Sequence, residues 1–239
     1  MTEQKRTIGG MYLSKYMEAK HIKGHLPVLK EYGKQCEHIT EMGVREFNST
    51  WSFLSIKPKK LVSIDWNRPP FEVCPTELDL CKSLSTEAGV DFEFIVSDTL
   101  QIEISPTDLL FIDTWHTYEQ LCLELFKHSS KVKKYIIAHD TNELVFPGMS
   151  WAVYDFIQAN PSWEIRMMLM SGPGLTILER RSNQEPASWF DENEFVKEIR
   201  EQQDLYYKHT DKNGSTNDHW ENYRKDQFDK FAKRRLVDK

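Results

Sequence analysis

The chain has 239 residues, with 31 Lys and Arg against 37 Asp and Glu and a formal charge of −6. Hydrophobic residues at 39% supply a core, while 10 Gly and 10 Pro exclude collagen-like and low-complexity classes. No apolar run approaches the ~18–20 residues of a membrane span, and the acidic balance argues against a surface that coats nucleic acid.

The first residues, MTEQKRTIGGMYLSKY, lack the continuous apolar stretch of a secretory signal. A protein kept in the cytoplasm, with neither membrane nor nucleic acid as its partner, is the simplest expectation. The four cysteines (Cys36, Cys74, Cys81 and Cys122) form no C-x-x-C pair and no zinc spacing with histidine, so buried free thiols are expected at Cys81 and Cys122.

An N-terminal helical segment over 8–35 leads into the first of a series of short apolar runs, His38–Met42. Further runs follow at 61–64, 92–96, 109–112 and 135–138. Each is nearly continuous, which predicts central strands of a parallel sheet covered on both faces. Between them lie helical patterns: Leu78, Cys81, Leu84 and Ala88; Tyr118, Leu121, Leu125 and Phe126; Val153, Phe156 and Ile157. Strand and helix alternate, so the expected class is α/β, a Rossmann-like, mainly parallel sheet with helices on both faces.

The order changes at 163–170 and Leu175–Arg180, two strand-like runs joined only by Ser171-Gly172-Pro173-Gly174. So short a link permits a hairpin but no crossover, and the seven-stranded sheet should end in an antiparallel pair. Residues 1–182 are therefore read as one domain and 183–239 as a charged helical extension. Asp191-x-x-Glu194 can cap a helix carrying Phe195 and Ile199. Trp189, Phe190, Phe195, Trp220, Tyr223, Phe228 and Phe231 are too many large apolar groups for a purely solvated tail. Docking onto the cleft of the same chain, or onto a second chain as a homodimer, is expected, with the dimer favoured.

In open α/β sheets, ligands bind outside the carboxyl ends of the strands, where the winding reverses. The residues there are Glu41, Gly43, Asn48, Ser49 and Thr50, then Asp65, Asp98, Asp113 with Trp115 and His116, and His139 with Asp140. Gly43 lets backbone approach a ligand, and Asn48, Ser49 and Thr50 can cap a helix whose amides face that ligand. Asp65 follows Gly43 by 22 residues, where an acid typically takes two ribose hydroxyls. Asp98 can accept from an adenine amino group. Asp113 and Asp140 end neighbouring strands and can share a divalent cation. Plain helix capping at Asn48 and Ser49, and turn chemistry at Asp65 and Asp98, are the structural alternatives.

Over 26–180 the sequence resembles the class I S-adenosylmethionine-dependent methyltransferases, in the branch of cephalosporin-hydroxylase-like, sugar and catechol-type O-methyltransferases. ITEMGVREFNST is similar to their first motif and KPKKLVSID to their second strand with its ribose-binding acid. DLLFIDTWHTYE, and IIAHDTN followed by PGMSWAVYDFIQANPSW, resemble the segments around strands four and five. The resemblance implies S-adenosylmethionine as cofactor, held by Glu41, Gly43, Ser49, Asp65, Asp98 and Asp113. It implies a divalent cation, magnesium or manganese, on Asp113, His139 and Asp140, and a small-molecule acceptor. Asp113 belongs to the catalytic set with His116, the expected base, and His139, its rival. A sugar hydroxyl is the first acceptor class and a phenol or catechol the second, with Trp66, Trp115 and Trp151 placed to stack on either.

Two departures from that pattern carry expectations of their own. Phe47-Asn48 replaces the family's second glycine, so Phe47 should narrow the cofactor pocket, and a degenerate binding protein without catalysis is the alternative reading. His139 stands where relatives carry an oxygen ligand, which invites a softer metal than magnesium. A nicotinamide oxidoreductase is disfavoured by the missing G-x-G-x-x-G turn.

Overall fold

A computed structural model describes residues 6–210, 222, 225–231 and 233. Two helices, α1 (Ile8–Glu18) and α2 (His25–Gly33), precede the sheet. Then come β1 (His38–Met42), α3 (Asn48–Leu54), β2 (Lys60–Asp65), α4 (Pro75–Ala88), β3 (Asp91–Val96), β4 (Thr107–Ile112), α5 (Tyr118–His128), β5 (Val132–His139) and α6 (Met149–Ala159). The hairpin β6 (Trp163–Leu169) and β7 (Leu175–Arg180) closes the sheet, and α7 (Glu192–His209) follows. Trp220 and Tyr223 lie outside the described residues.

The sheet order is β3-β2-β1-β4-β5-β7-β6. β1 to β5 pair in parallel; β7 runs antiparallel between β5 and β6. Winding proceeds outward from β1 to β3 and then jumps back to β4, so the reversal falls between β1 and β4. That gap is where a crevice opens at the carboxyl ends.

Alternation along β4 shows how the core forms. Leu109 and Phe111 join the layer beneath α1–α4, whereas Leu110 and Ile112 join the layer beneath α5 and α6. One expectation is corrected at the edge. β3 is not a central strand: Asp91, Glu93 and Val96 are exposed while Phe92 and Phe94 are half-buried, because β2 is its only sheet neighbour among the described residues.

Local chemistry sets the helix ends that matter here. Thr117 Oγ1 caps α5 by accepting from Gln120 N, and Asp191 caps α7 by accepting from Asn193 N and Glu194 N. α3 departs from expectation: its cap is Phe47, with no side-chain cap bond, so Asn48, Ser49 and Thr50 lie inside the helix. Thr50 instead donates to Glu41.

The C-terminal extension folds back on its own chain. Trp189 and Phe190 pack beside Phe156 and Phe126, and Phe190 stacks on Phe195 with centroids 4.6 Å apart. Phe231 is buried against Gly148 and Tyr118. Of the two receiving surfaces expected for the tail, α7 takes the cleft of the same chain.

Candidate active site

A cleft of about 910 Å³ opens at the carboxyl ends of β1, β2 and β4. Its lining includes Gly43, Ser49, Asp65, Asp98, Asp113, His116, His139 and Asp140, eight of the nine residues expected to hold cofactor or cation or to carry catalysis. Glu41 is the exception. It lies fully buried beside α3, accepting from Thr50 Oγ1 at 2.8 Å and Ser63 Oγ at 2.6 Å. Burial raises its pKa to about 7 despite those bonds.

Gly43 has φ 85°, and a Cβ there would lie 1.8 Å from the Asp113 carbonyl oxygen. The glycine is thus needed for the approach of β1 to the end of β4, ahead of any ligand. Phe47 also differs from expectation. At φ 58° it takes a left-handed turn, and its ring is fully buried in the core, outside the cleft lining. The pocket is not narrowed by it.

Two regions share the cleft. In one, Asp65 Oδ2 accepts from Val44 N at 2.8 Å and Arg45 N at 3.2 Å, and Oδ1 from Asn67 N at 2.6 Å. Asp98 lies nearby, accepting from Leu100 N at 3.0 Å and from Arg200 Nη2 at 2.5 Å. Above them α7 lays Tyr206 and Tyr207 against Trp115, with centroids 5.0 and 6.4 Å away, and Tyr207 edge-on to Trp66. Trp151, the third tryptophan expected to stack, packs on Tyr154 outside the cleft lining.

In the other region, residues from β4 and β5 converge. His139 Nδ1 lies 3.1 Å from Asp140 Oδ1 and 3.4 Å from Asp113 Oδ1. His116 Nε2 lies 2.6 Å from Asp140 Oδ2 and 3.3 Å from Asp113 Oδ1. Consecutive strand residues normally face opposite ways. Here Asp140 adopts φ 58° just past β5, and both it and His139 reach the same cluster. Left-handed backbone at a non-glycine residue costs roughly 1–3 kcal/mol and tends to gather at functional sites.

Donor atoms of Asp113, His139 and Asp140 all lie within 4.8 Å of one another. His139 is 5% exposed, and its Nδ1 makes no hydrogen bond of acceptable direction despite the short distances to both carboxylates. One imidazole nitrogen between two carboxylates fits a divalent cation that displaces its proton. Burial alone would lower the pKa of both imidazoles, but the Asp113 and Asp140 charges outweigh it and raise His116 and His139 to about 10. Burial opposes ionisation of the two acids as well; the histidines nevertheless hold Asp113 well below the usual carboxylate range and Asp140 below it.

No family model and no curated protein matches the chain. Solved structures do. A protein from Corynebacterium glutamicum aligns at 12% identity and TM-score 0.56, over 77% of this chain and 94% of its own. The O-methyltransferase TomG from Streptomyces achromogenes, in complex with S-adenosylmethionine, aligns at 14% identity and TM-score 0.53, over 76% and 93%. A putative caffeoyl-CoA O-methyltransferase from Staphylococcus aureus aligns at 15% and 0.51, over 74% and 93%. The fold is that of a class I methyltransferase.

On the class I methyltransferase fold, sequence reasoning missed the residues that come from far away. His25 on α2 places Nδ1 3.0 Å from His139 Nε2, and its own Nε2 is 3.0 Å from the Ser171 carbonyl oxygen. Tyr206 and Tyr207 reach the cleft from α7, and Arg200 on the same helix bonds the cleft residue Asp98. No local pattern marks these positions, which lie about a hundred residues from the strand ends they touch. No helix among the described residues is long and apolar enough to cross a membrane.

Proposed function

We propose that this chain is an S-adenosylmethionine-dependent O-methyltransferase, acting on a hydroxyl of a sugar or sugar-containing small molecule with help from a divalent cation. The observation that carries this reading is the continuity of one cleft between Asp65 and the Asp113–His139–Asp140 cluster. Solved structures of the same fold hold S-adenosylmethionine or S-adenosylhomocysteine. The cofactor supplies an electrophilic methyl group, and a bound cation lowers the pKa of an acceptor hydroxyl while orienting it.

The chain's own residues then have distinct tasks. Asp65 receives the ribose hydroxyls and Gly43 passes beneath the amino-acid part, with Trp66, Trp115 and the α7 tyrosines excluding water beside them. Asp113, His139 and Asp140 hold the cation. His116 Nε2 faces Asp140 and Asp113, whose charges favour a proton on the ring; a cation on those two acids would offset that charge and free His116 Nδ1 to take the acceptor's proton, with the acids orienting the ring. His139 is too deeply placed for that task and serves as a ligand.

The cleft wall near this cluster combines His21, His25 and His116 with Phe146 and Pro173, which suits a polyhydroxylated ring with one apolar face. A phenol or catechol is the second acceptor class. The degenerate-protein alternative has lost its main support, since Phe47 leaves the pocket open. The test is methyl transfer from S-adenosylmethionine to panels of glycosides and catechols, followed by mass spectrometry with and without chelator. Methylated glycoside that disappears on chelation supports the reading. Folded protein that binds S-adenosylhomocysteine yet methylates neither panel overturns it.

A further inference from the structure

The pair His25–His139 is unusual because it joins a candidate ligand to the N-terminal helices, outside the sheet. His25 Nε2 lies 3.0 Å from the Ser171 carbonyl oxygen, which can only accept. A neutral His25 therefore carries its proton on Nε2 and presents a lone pair at Nδ1. That lone pair is 3.0 Å from His139 Nε2, which must donate to it. When a cation displaces the proton that the two acids favour on His139, the remaining nitrogen, Nδ1, is left bare, and it is the buried atom without a hydrogen bond between Asp113 and Asp140.

The parts that hold His25 are themselves fixed. Ser171 sits in the β6–β7 turn, and that turn is tied to the loop after β5. Asn142 N donates to the Pro173 carbonyl at 2.7 Å, and Asn142 Nδ2 donates to the Met170 and Gly172 carbonyls at 3.1 and 2.8 Å. Both histidines are buried, at 1% and 5% exposure, with their rings edge to face at 5.0 Å.

We propose that His25 is a positioning residue that locks His139 in its Nε2–H tautomer, making Nδ1 a nitrogen ligand and the site selective for a borderline divalent transition metal over magnesium. The inference rests on the cation site of the preceding reading. Magnesium demands oxygen donors and gives up water reluctantly, whereas imidazole suits iron, nickel, copper and zinc; manganese(II), the weakest binder of the same transition series, is the conservative probe. Partners that orient a metal-bound histidine typically contribute 10- to 100-fold in affinity. His25 thus compensates for the absence of a third oxygen ligand.

The test uses manganese(II) alone on the full chain, without acceptor. Pulsed electron paramagnetic resonance of the manganese-loaded protein should show a directly coordinated nitrogen, lost in His139→Glu. Magnesium at about a hundredfold excess should displace little of the manganese from the unmodified protein, but most of it from His139→Glu. His25→Leu should weaken manganese binding about 10- to 100-fold. His25→Gln, whose amide both donates and accepts, should retain most of it. Calorimetry with S-adenosylhomocysteine on each variant reports folding and the cofactor site separately. Bound manganese without nitrogen coupling, displacement by equimolar magnesium, equal affinity in His25→Leu, or no manganese binding by a protein that still binds S-adenosylhomocysteine would each overturn the inference.

Discussion

The carboxylate of Asp98, at the end of the β3 edge, is held at 2.5 Å by the guanidinium of Arg200, 102 residues later on α7. The acid read from the sequence as a partner for adenine is already part of a clasp between the sheet and the C-terminal helix. Tyr206 and Tyr207 lie less than two helical turns further on, over Trp115 and Trp66. The helix read as a tail is a wall of the cleft.

Loosening that clasp should alter cofactor exchange before it alters the fold. The Arg200 side chain is about one-third exposed, so the pair contributes only on the order of 1 kcal/mol after solvent screening. Arg200→Ala should therefore speed S-adenosylhomocysteine dissociation roughly fivefold, with melting temperature nearly unchanged. Stopped-flow tryptophan fluorescence reads this directly, and an unchanged dissociation rate would mean that α7 does not close over the ligand.

Gly43 offers a sharper structural test. Alanine there must place Cβ against the Asp113 backbone at a φ of 85°, and no side-chain rearrangement relieves a clash with a carbonyl. The expected cost is roughly 2–4 kcal/mol, a fall in Tm on the order of 10 °C for a chain of this size. Thermal unfolding within a degree or two of the parent would contradict the close approach of β1 and β4.

Glu124 gives a pH signature away from the cation cluster. It is fully buried, accepts from Thr99, Thr114 and Gln120, and burial raises its pKa to about 7. Below the ordinary 4.5 the folded and unfolded chains are both protonated there, and it costs nothing. Between 4.5 and about 7 the unfolded chain releases the proton and the folded chain keeps it, so stability falls as pH rises and levels off above that window. Glu124→Gln removes the titration while keeping one donor and one acceptor oxygen. The variant should match the parent near pH 4.5 and gain relative stability toward pH 8. A stability difference independent of pH would show that Glu124 ionises normally in the fold.

Much of this was legible before the structure. All seven strands coincide with apolar runs in the sequence, and the four-residue Ser171–Gly174 link forced the final hairpin. The strand-end rule collected Asp65, Asp98, Asp113, His116, His139 and Asp140 because a parallel sheet brings every such end to one edge. What stayed hidden was set by torsion or by distant contact. Phe47 reads as bulk in a glycine-rich turn, yet its left-handed backbone carries the ring into the core. Glu41 reads as a cleft acid, yet it lies beside α3 and is absorbed by Thr50 and Ser63. β3 reads as buried until the alternation of Asp91, Phe92, Glu93 and Phe94 is weighed with its place at the sheet edge. His25 and Arg200 belong to helices whose docking no periodicity reveals.

The ribose-side acid is where the cofactor reading is most exposed to disproof. Losing one charged hydrogen bond typically costs about 1.5–3 kcal/mol, so Asp65→Ala should weaken S-adenosylhomocysteine roughly ten- to more than a hundredfold. Because Asp65 also accepts from Val44 N, Arg45 N and Asn67 N, Asp65→Asn is the companion variant. It keeps one acceptor oxygen for the loop and should lose less affinity than alanine. Equal affinity in all three proteins would remove Asp65 from the site.

The most direct measurement of all is a calorimetric titration of the unmodified 239-residue chain with S-adenosylhomocysteine, run with and without manganese(II). Saturable binding at one site per chain, present in both titrations and weakened by Asp65→Ala, is the result the methyltransferase account predicts. No binding in either titration, from protein shown to be folded by its thermal transition, would contradict it.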